Sequence, residues 1–262
     1  MYTIDPSYVS LDFTATNNHI HIQSFFTLNA IKQHIKHDIK CIIFRHLLEH
    51  IDMARDFLQD VVNLIAQDGI IYIEVPNVLE FFEKKRFYEI FHDHCGYYQE
   101  SSLIHVMNEL GCKHIETITL YGEQHFGLFF KKSKTSITNK KPIILPQSTN
   151  EAMKQVIQNL NNRLSKYRNI ALYGAGAHAN SLLSFLNLEN KLSISCCYDL
   201  DERKTGKYLQ NSNIVIKKPC KEHYVDIDCI LIAAPLYESE IISFLRKDGF
   251  QKDILQSLDC RF

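Results

Sequence analysis

The sequence predicts an α/β protein of two domains, each built around a largely parallel sheet. Short apolar runs such as CIIF (41–44) and GIIYIEV (69–75) are typical of parallel strands buried on both faces. Segments with apolar residues at helical spacing alternate with these runs. A basic, polar, proline-bounded stretch at residues 131–150 separates two such series. We therefore place the domain boundary there, with domains at 1–135 and 150–262.

Helical periodicity in the first domain is clearest in MARDFLQDVVNLIAQ (53–67). Asp52 is the predicted cap of this helix, and Asp68 with Gly69 is its predicted stop. ESSLIHVMNELG (100–111) predicts a second amphipathic helix that ends at its glycine. KHIETITLYG and QHFGLFFKK then predict two strands that pair antiparallel. Parallel strands followed by an antiparallel pair predict a mixed sheet.

The sequence of the second domain predicts a small doubly wound unit. A helix over 151–167, capped within Ser148–Asn150, leads into NIALYGAGAHANSLLSFLNL, which predicts a strand, a glycine turn and a helix. SISCCYDLD and DCILIAAP are predicted buried strands, and SEIISFLRKDGF is a predicted helix. This alternation favours a Rossmann-like α/β architecture.

Composition excludes several classes of function. The chain has 262 residues and a formal charge of −1, so no net field attracts nucleic acid or an anionic membrane. No apolar run approaches the roughly 20 residues that span a bilayer, and no signal peptide is evident. The eight cysteines form no CxxC pair, which argues for reduced, mostly buried thiols in the cytoplasm and against a zinc ribbon.

RHLLEHID (45–52) contains an H-x-x-E-H string formed by His46, Glu49 and His50. The string matches a zinc-peptidase pattern, which needs both histidines one turn apart on a continuous helix. Because it directly follows the strand run CIIF, we expect it on a turn. That turn would lie at the carboxyl end of a parallel strand, where open α/β sheets bind ligands. A purely structural turn is the alternative, and we predict no metal.

RFYEIFHDHCGYY (86–98) sets His92, Asp93 and His94 in a row within an aromatic frame. Such a frame around titratable groups is typical of a pocket wall and not of a simple core. Histidine suits general acid–base catalysis because its unperturbed pKa lies near neutrality. A histidine-rich loop with no catalytic role is the alternative interpretation.

Five motifs in this order resemble the class I methyltransferases that use S-adenosylmethionine. More narrowly, they resemble the C-methyltransferases of nucleotide-linked deoxyketosugars. The first domain is then expected to be an incomplete class I methyltransferase-like Rossmann domain, followed by the smaller Rossmann-like domain. The motifs are a strand end with an acidic-Pro-Ser turn, an LEH turn, an EVP strand end, a "YHEH" segment and a glycine turn, at residues 4–7, 48–50, 74–76, 91–94 and 173–177.

The resemblance implies methyl transfer to the carbon beside the ketone of a nucleotide-linked sugar. His94 is implied as the base that forms the enolate, with Asp93 orienting it and His92 beside them. Asp5 is implied as the ribose ligand of S-adenosylmethionine. Four further residues are expected to line the pocket. His46 and Glu49 are expected to contact the cofactor, and His50 and Tyr97 are expected to contact the sugar. Where the family has a tyrosine at the start of its "YHEH" segment, this sequence has Phe91.

A second departure concerns the methyl donor. The family's first strand, Gly-rich turn and first helix lie upstream of the acid that matches Asp5, and its amino-terminal zinc module lies upstream as well. In the family's sheet that first strand is central, so two strands here are expected to expose backbone edges. We expect weak cofactor binding by this chain alone. The chain is then a fragment, one half of a split enzyme with a partner chain, or a degenerate relative.

ALYGAGAHANSLL satisfies G-x-G-x-x-G/A through Gly174, Gly176 and Ala179, and Asp199 follows at the spacing of a ribose ligand. The string also resembles the nucleotide-sugar pocket of sugar acyltransferases, in which a histidine, here His178, follows the turn. NAD, a nucleotide sugar and a purely structural turn all remain open. The corresponding functions are a C-methyltransferase, a non-catalytic nucleotide-sugar-binding or assembly protein, and an NAD-dependent oxidoreductase.

The charged segment LDERKTGKYLQ (200–210) follows Asp199. Its cations Arg203, Lys204 and Lys207 could meet a diphosphate, but a solvated surface is the more common role of such a run. APLYESE (234–240) follows another buried strand, and we expect it to line the same crevice.

Overall fold

The computed structural model describes residues 1–6, 19–133, 144 and 148–256 and confirms the predicted α/β class. The chain divides into two compact units. Unit 1 is Met1–Asn77 with Cys95–Ile143, and unit 2 is Val78–His94 with Ile144–Phe262. Most of the predicted boundary, residues 131–150, lies outside the described residues. The segment Val78–His94 groups with unit 2, whereas the sequence predicts it as part of the first domain.

Unit 1 contains a two-stranded parallel sheet and a four-stranded mixed sheet. Strands β1 and β2 pair in parallel, and the larger sheet has the order β3-β4-β6-β5 with β3 and β4 parallel. Strand β6 pairs antiparallel with β5, as predicted, and it also pairs antiparallel with β4. The elements are β1 (Tyr2–Asp5), β2 (Ile20–Gln23), α1 (Leu28–His34), β3 (Ile39–Arg45), α2 (Ala54–Leu64), β4 (Ile65–Pro76), α4 (Glu100–Glu109), β5 (Cys112–Leu120) and β6 (His125–Lys132), while α3 belongs to unit 2.

Within the described residues, β1 pairs with β2 alone and β3 pairs with β4 alone. The expectation that CIIF is buried on both faces is wrong. Phe44 is buried, but Cys41 is exposed and Ile43 is 63% exposed. Helices α2 and α4 supply the core on the face of the sheet that contains Phe44, whereas Cys41 and Ile43 lie outside this core. Only one face of this edge strand therefore contributes to the core.

Helix α2 is shorter than predicted. It ends at Leu64 and not at Gln67, because Ile65 pairs with Ile39 and is already the first residue of β4. Asp68 has a φ of 63° and lies where the β3–β4 register shifts, so Asp68-Gly69 forms an irregularity inside the strand. The predicted cap is also displaced. Asp52 Oδ1 accepts the Met53 amide, and Met53 occupies the cap position.

The other predicted elements of unit 1 are confirmed. Helix α4 precedes Gly111, whose φ of 83° requires the conformational freedom of glycine. The hairpin between β5 and β6 turns at Gly122 and Glu123, both with positive φ. The core lies between the sheet and the helices α2 and α4, and its fully buried members include Leu58, Val61, Ile71, Ile73, Leu103, Met107, Leu128 and Phe130.

Unit 2 is a five-stranded parallel sheet with the order β11-β10-β7-β8-β9. The chain order reverses beside β7, which has β8 on one side and β10 on the other, so the predicted doubly wound topology is confirmed. The elements are α3 (Val78–Glu83), α5 (Ser148–Leu164), β7 (Ile170–Tyr173), α6 (Ala177–Phe185), α7 (Leu188–Leu192), β8 (Ile194–Tyr198), β9 (Ile216–Lys217), β10 (Cys229–Ile232), α8 (Glu238–Lys247) and β11 (Asp253–Gln256).

The core of unit 2 includes side chains from the segment that precedes unit 1's helix α4. Phe87 and Tyr88 are completely or almost completely buried against residues of α5 and α6. Helix α5 begins at Ser148 and ends at Leu164, three residues earlier at each end than predicted. Four of the seven described cysteines are buried. None of the helices in the described parts of the chain has the length and hydropathy needed to cross a bilayer.

Candidate functional site

In unit 1, polar groups gather at the carboxyl ends of β3 and β4, the edge at which open α/β sheets bind ligands. The buried carboxylate of Glu74 accepts two hydrogen bonds from Arg45, at 2.8 and 3.0 Å, and one from the Tyr72 hydroxyl at 2.8 Å. Burial raises the pKa of Glu74, but the bonds from Arg45 and Tyr72 outweigh it and leave that pKa lowered. Burial and the neighbouring carboxylate raise the pKa of Tyr72 to about 12, so Tyr72 remains a donor.

His46 and two further rings extend this network. His46 Nε2 lies 3.1 Å from Glu74 Oε1, and His46 has a φ of 47°, an unusual conformation for a residue other than glycine. The His46 ring packs against His125 at 4.9 Å between centroids, and His125 packs against Tyr121 at 5.2 Å. Arg45 Nη2 donates to the Tyr121 hydroxyl at 2.8 Å. The network therefore joins the β3 end to the β5–β6 hairpin.

The LEH string forms a single 3₁₀ turn, Leu48–His50, and Glu49 within it is buried. This confirms the predicted turn and contradicts the continuous helix that the zinc-peptidase pattern requires. The turn binds the backbone that follows the histidine segment. The Glu49 carbonyl accepts the amides of Cys95 at 2.7 Å and Gly96 at 3.0 Å, and the Tyr98 hydroxyl donates to the Leu48 carbonyl at 3.1 Å.

The remaining predicted residues of unit 1 are Asp5, His50 and Tyr97. Asp5 is exposed at the end of β1, in register with Gln23. His50 is exposed, and its carbonyl accepts a long contact of 3.7 Å from Cys95 Sγ. Tyr97 is 39% exposed. Their assignments to cofactor and sugar stay predictions.

In unit 2, the predicted catalytic segment lies against the predicted glycine-turn helix. The Phe91 ring contacts the rings of His94 and His178, at centroid distances of 4.9 and 5.2 Å. His92 and Asp93 are exposed, with 4.0 Å between His92 Nδ1 and Asp93 Oδ1. The fold thus brings together two segments that are separated by more than 80 residues in the sequence.

A cavity of about 550 Å³ opens at the carboxyl ends of β7, β8 and β10, where the strand order reverses. Gly174, Gly176, His178 and Asp199, all predicted substrate ligands, line it. APLYESE contributes as expected, together with apolar groups from α8. The remaining lining residues are Tyr173, Ala175, Leu200, Lys204, Ala233, Ala234, Pro235, Leu236, Tyr237, Glu240, Ile241 and Phe244.

The two glycines of the turn differ in their surroundings. Gly174 has a φ of 103°, and a Cβ there would lie 2.9 Å from the Ala234 Cβ. Gly174 is therefore required by packing between neighbouring strand ends. A Cβ on Gly176 would meet nothing within 4 Å, so Gly176 leaves open space at the amino terminus of α6. This space lies at the amino-terminal end of α6, and the amino terminus of a helix favours the binding of anions.

Asp199 holds the glycine turn to the charged loop that follows β8. Its Oδ2 accepts the Ala175 amide at 2.8 Å and Lys204 Nζ at 2.9 Å, and its Oδ1 accepts the Asp201 amide at 2.8 Å. Burial raises the pKa of Asp199, but these three donors together leave it lowered. Of the predicted diphosphate ligands, Lys204 lines the cavity, whereas Arg203 is 88% exposed and pairs with Asp201.

Arg45, Tyr72, Tyr121 and His125 belong to the network around Glu74 although no sequence motif predicts them as site residues. Arg45 ends β3, Tyr72 lies within β4, Tyr121 follows β5 and His125 begins β6, so these residues become neighbours only through the order of the strands in the sheet. Glu74 was noted solely as part of the EVP string. A usable signal was the charged pair at matching strand ends, because Arg45 and Glu74 are the last charged residues of two consecutive parallel strands.

Comparison with known proteins gives separate matches for the amino-terminal and carboxyl-terminal parts of the chain. Residues 1–117 match the family model described as a methyltransferase domain. Residues 166–253 match a second family model, described as C2185-like, N-terminal. The C-methyltransferase NovU of Streptomyces niveus is 25% identical over 241 residues, an alignment that covers 82% of this chain and 57% of NovU. The chain thus spans little more than half the length of this curated relative.

Solved structures give weaker likenesses. N-methyltransferase NodS from Bradyrhizobium japonicum has 10% identity and a TM-score of 0.37, with 50% of this chain and 72% of that chain covered. An O-methyltransferase family protein from Burkholderia thailandensis has 10% identity and a TM-score of 0.36, with 45% and 37% covered. These TM-scores are too low to support any conclusion beyond that of the sequence matches. The sequence matches therefore show that residues 1–117 are similar to methyltransferase domains and that most of the chain is similar to part of a C-methyltransferase.

Replacing Gly174 by alanine should destabilise unit 2, whereas Gly176→Ala should not. The expected loss for Gly174→Ala is about 2–3 kcal/mol, from the positive φ and the close approach of Ala234. Urea denaturation followed by circular dichroism measures both variants. Equal midpoints for the two variants would contradict the packing role assigned to Gly174.

Replacing Glu74 by glutamine should lower the urea midpoint at neutral pH by an amount that corresponds to about 2 kcal/mol. The folded-state pKa of Glu74 is lowered, so its stabilising effect is present above the unfolded-state value and is lost as the pH falls through the folded-state value. The difference from wild type should therefore shrink in acid. Glu109→Gln is the matched control, because Glu109 accepts from Arg55 on the surface of the same unit and should change the midpoint little. A pH-independent difference would contradict this account of Glu74.

Proposed function

We propose that the chain forms the acceptor-binding part of a C-methyltransferase that acts on a nucleotide-linked keto-deoxysugar. Contact of Phe91 with both His94 and His178 is the observation that carries this proposal. It places the histidine segment beside the glycine turn whose cavity suits a nucleotide. The similarity to NovU, whose name states C-methyl transfer, supports the same reaction class.

The proposed role of His94 is removal of the proton from the carbon next to the ketone. Loss of this proton gives an enolate, in which the carbon is nucleophilic and the oxygen carries negative charge. Imidazole is suited to this step because it can take up a proton near neutral pH. Edge-on packing of the Phe91 and His94 rings, at 4.9 Å between centroids, limits the rotation of the imidazole.

The cavity of unit 2 offers two kinds of surface for the nucleotide. Leu236, Tyr237 and Phe244 provide apolar and aromatic faces on which a base can pack. Lys204 and the open space at Gly176 provide a cation and a helix amino terminus for a diphosphate. Its volume of about 550 Å³ lies in the range of small-molecule sites.

S-adenosylmethionine would supply the methyl group as an electrophilic sulfonium. The described residues of unit 1 fit only part of a site for it. Asp5 provides a carboxylate at a strand end, but none of the glycines described in unit 1 lies in a strand-to-helix turn that could approach the cofactor. The contribution of this chain is therefore to the acceptor, and any tight binding of the donor would need further residues.

A non-catalytic nucleotide-sugar-binding protein is the second candidate. It is favoured by the cavity, which unit 2 forms from its own residues. An NAD-dependent oxidoreductase has less support, because a ribose diol would have to compete for Asp199 with Ala175, Asp201 and Lys204. Both oxygens of that carboxylate already accept hydrogen bonds.

His94→Gln should slow exchange of the acceptor's acidic carbon-bound proton with D₂O by about a hundredfold or more, since the base is lost. Proton NMR of a dTDP-linked keto-deoxysugar incubated with the chain measures this exchange without any methyl donor. His105→Gln, a half-exposed histidine on α4, is the control and should exchange like wild type. Wild-type exchange by His94→Gln would remove the assigned base.

Calorimetric titration separates the two candidates. We expect the dTDP-sugar to bind at micromolar concentration and S-adenosylhomocysteine to bind at least tenfold more weakly, because unit 1 offers an incomplete donor site. Binding of the sugar without proton exchange would favour the non-catalytic binding protein. Absence of sugar binding would contradict both candidates.

A further inference from the structure

A series of charged side chains in mutual contact connects the interior of unit 2 with the cavity. Arg86, whose side chain is 6% exposed, forms an ion pair with buried Glu80, and its Nη1 lies 3.5 Å from Glu89 Oε1. Glu89 Oε1 in turn lies 3.2 Å from His178 Nε2. A buried charged group is stable only when its partners form ion pairs or hydrogen bonds with it. Each side chain in this series is therefore held in place by its neighbour. The last member, His178, lines the cavity.

The contact with Glu89 determines where the His178 ring carries its proton. A carboxylate is an acceptor, so the 3.2 Å contact requires a proton on Nε2. In a neutral imidazole the other nitrogen, Nδ1, is then an acceptor. Among the described residues, Glu89 is the polar partner of this ring, while Tyr88 and Phe91 contact it through their rings at 5.5 and 5.2 Å.

Glu89 is held firmly in place. Phe87 and Tyr88 on its amino-terminal side are buried in the core of unit 2. On its carboxyl-terminal side, the Ile90 carbonyl accepts a hydrogen bond of 2.8 Å from Ser181 of α6. The carboxylate thus lies on a segment that is attached to the same helix as His178, which keeps their distance constant.

We propose that Glu89, held by Arg86, is a positioning residue that keeps the proton of His178 on Nε2 and presents Nδ1 as a hydrogen-bond acceptor to the ligand of the cavity. This inference rests on the proposed function and deepens it. The ligand must then donate an N–H or O–H at this point, as the imide of a pyrimidine base or a sugar hydroxyl does. Phosphate oxygens, which only accept, are bound elsewhere in the cavity.

The tautomer can be measured without a ligand. In the ¹⁵N-labelled chain at mildly alkaline pH, where imidazoles are neutral, the ring-nitrogen shifts of His178 should report protonated Nε2 and unprotonated Nδ1. Glu89→Gln should give a mixture of tautomers, because an amide can both donate and accept. Glu83→Gln, on the exposed face of the same segment, is the matched control and should leave the shifts unchanged. Protonated Nδ1 in the wild type, or an unaltered tautomer in Glu89→Gln, would overturn the proposal.

Ser181→Ala separates the tautomer effect from loosening of the segment. This variant removes the bond to the Ile90 carbonyl and keeps the contact between Glu89 and His178. Its His178 shifts should remain those of the wild type. A tautomer change as large as that of Glu89→Gln would assign the effect to docking of the segment and would overturn the role of Glu89.

Calorimetry with dTDP and with pyrophosphate then tests the ligand. Glu89→Gln should weaken dTDP about tenfold, as expected for one lost hydrogen bond, and should leave pyrophosphate unchanged. Equal weakening of both would place the effect at the phosphates and overturn the acceptor role. If wild type binds no dTDP while the shifts follow the expected pattern, the proposed nucleotide function fails and the positioning role of Glu89 stands.

Discussion

Burial of Phe87 and Tyr88 is the interaction on which the candidate site depends. These two rings insert into the core of unit 2 next to α5 and α6, and each contributes about 2–3 kcal/mol by leaving water. Because they are fixed there, the residues that follow must run along α6, which places Phe91 against His178 and His94. Without this anchor the histidine segment would be a surface loop with no defined partner.

In both units a carboxylate near the end of a strand organises the polar groups at the carboxyl edge of the sheet. Glu74 holds Arg45, Tyr72 and His46 in unit 1, whereas Asp199 holds Ala175 and Lys204 in unit 2. In each case hydrogen bonds outweigh the cost of burying the charge; they come from a cation and a hydroxyl at Glu74, and from a cation and two backbone amides at Asp199. The established role of the acid at this position is therefore to hold neighbouring side chains and backbone in place. A direct contact with a ligand would be a second role.

Histidines in this chain acquire different roles from their neighbours. His46 extends a network of rings and carboxylates at a strained backbone position. His92 is exposed, while His94 packs on an aromatic ring and His178 meets a carboxylate. Residue type alone indicates chemistry near neutral pH. The partner of each ring nitrogen decides whether that histidine can serve as base, acceptor or structural group.

The sequence by itself determined the α/β class, the glycine turn and the hairpin at Gly122, because these depend on local periodicity and on backbone freedom at single residues. It also placed Gly174, His178 and Asp199 at one sheet edge. Only the tertiary structure decided that residues 78–94 belong to unit 2, that Ile65 ends a helix by pairing with Ile39, and that one face of β3 stays uncovered. These outcomes depend on which distant segments supply apolar surface and hydrogen-bond partners, and local pattern carries no information about that choice.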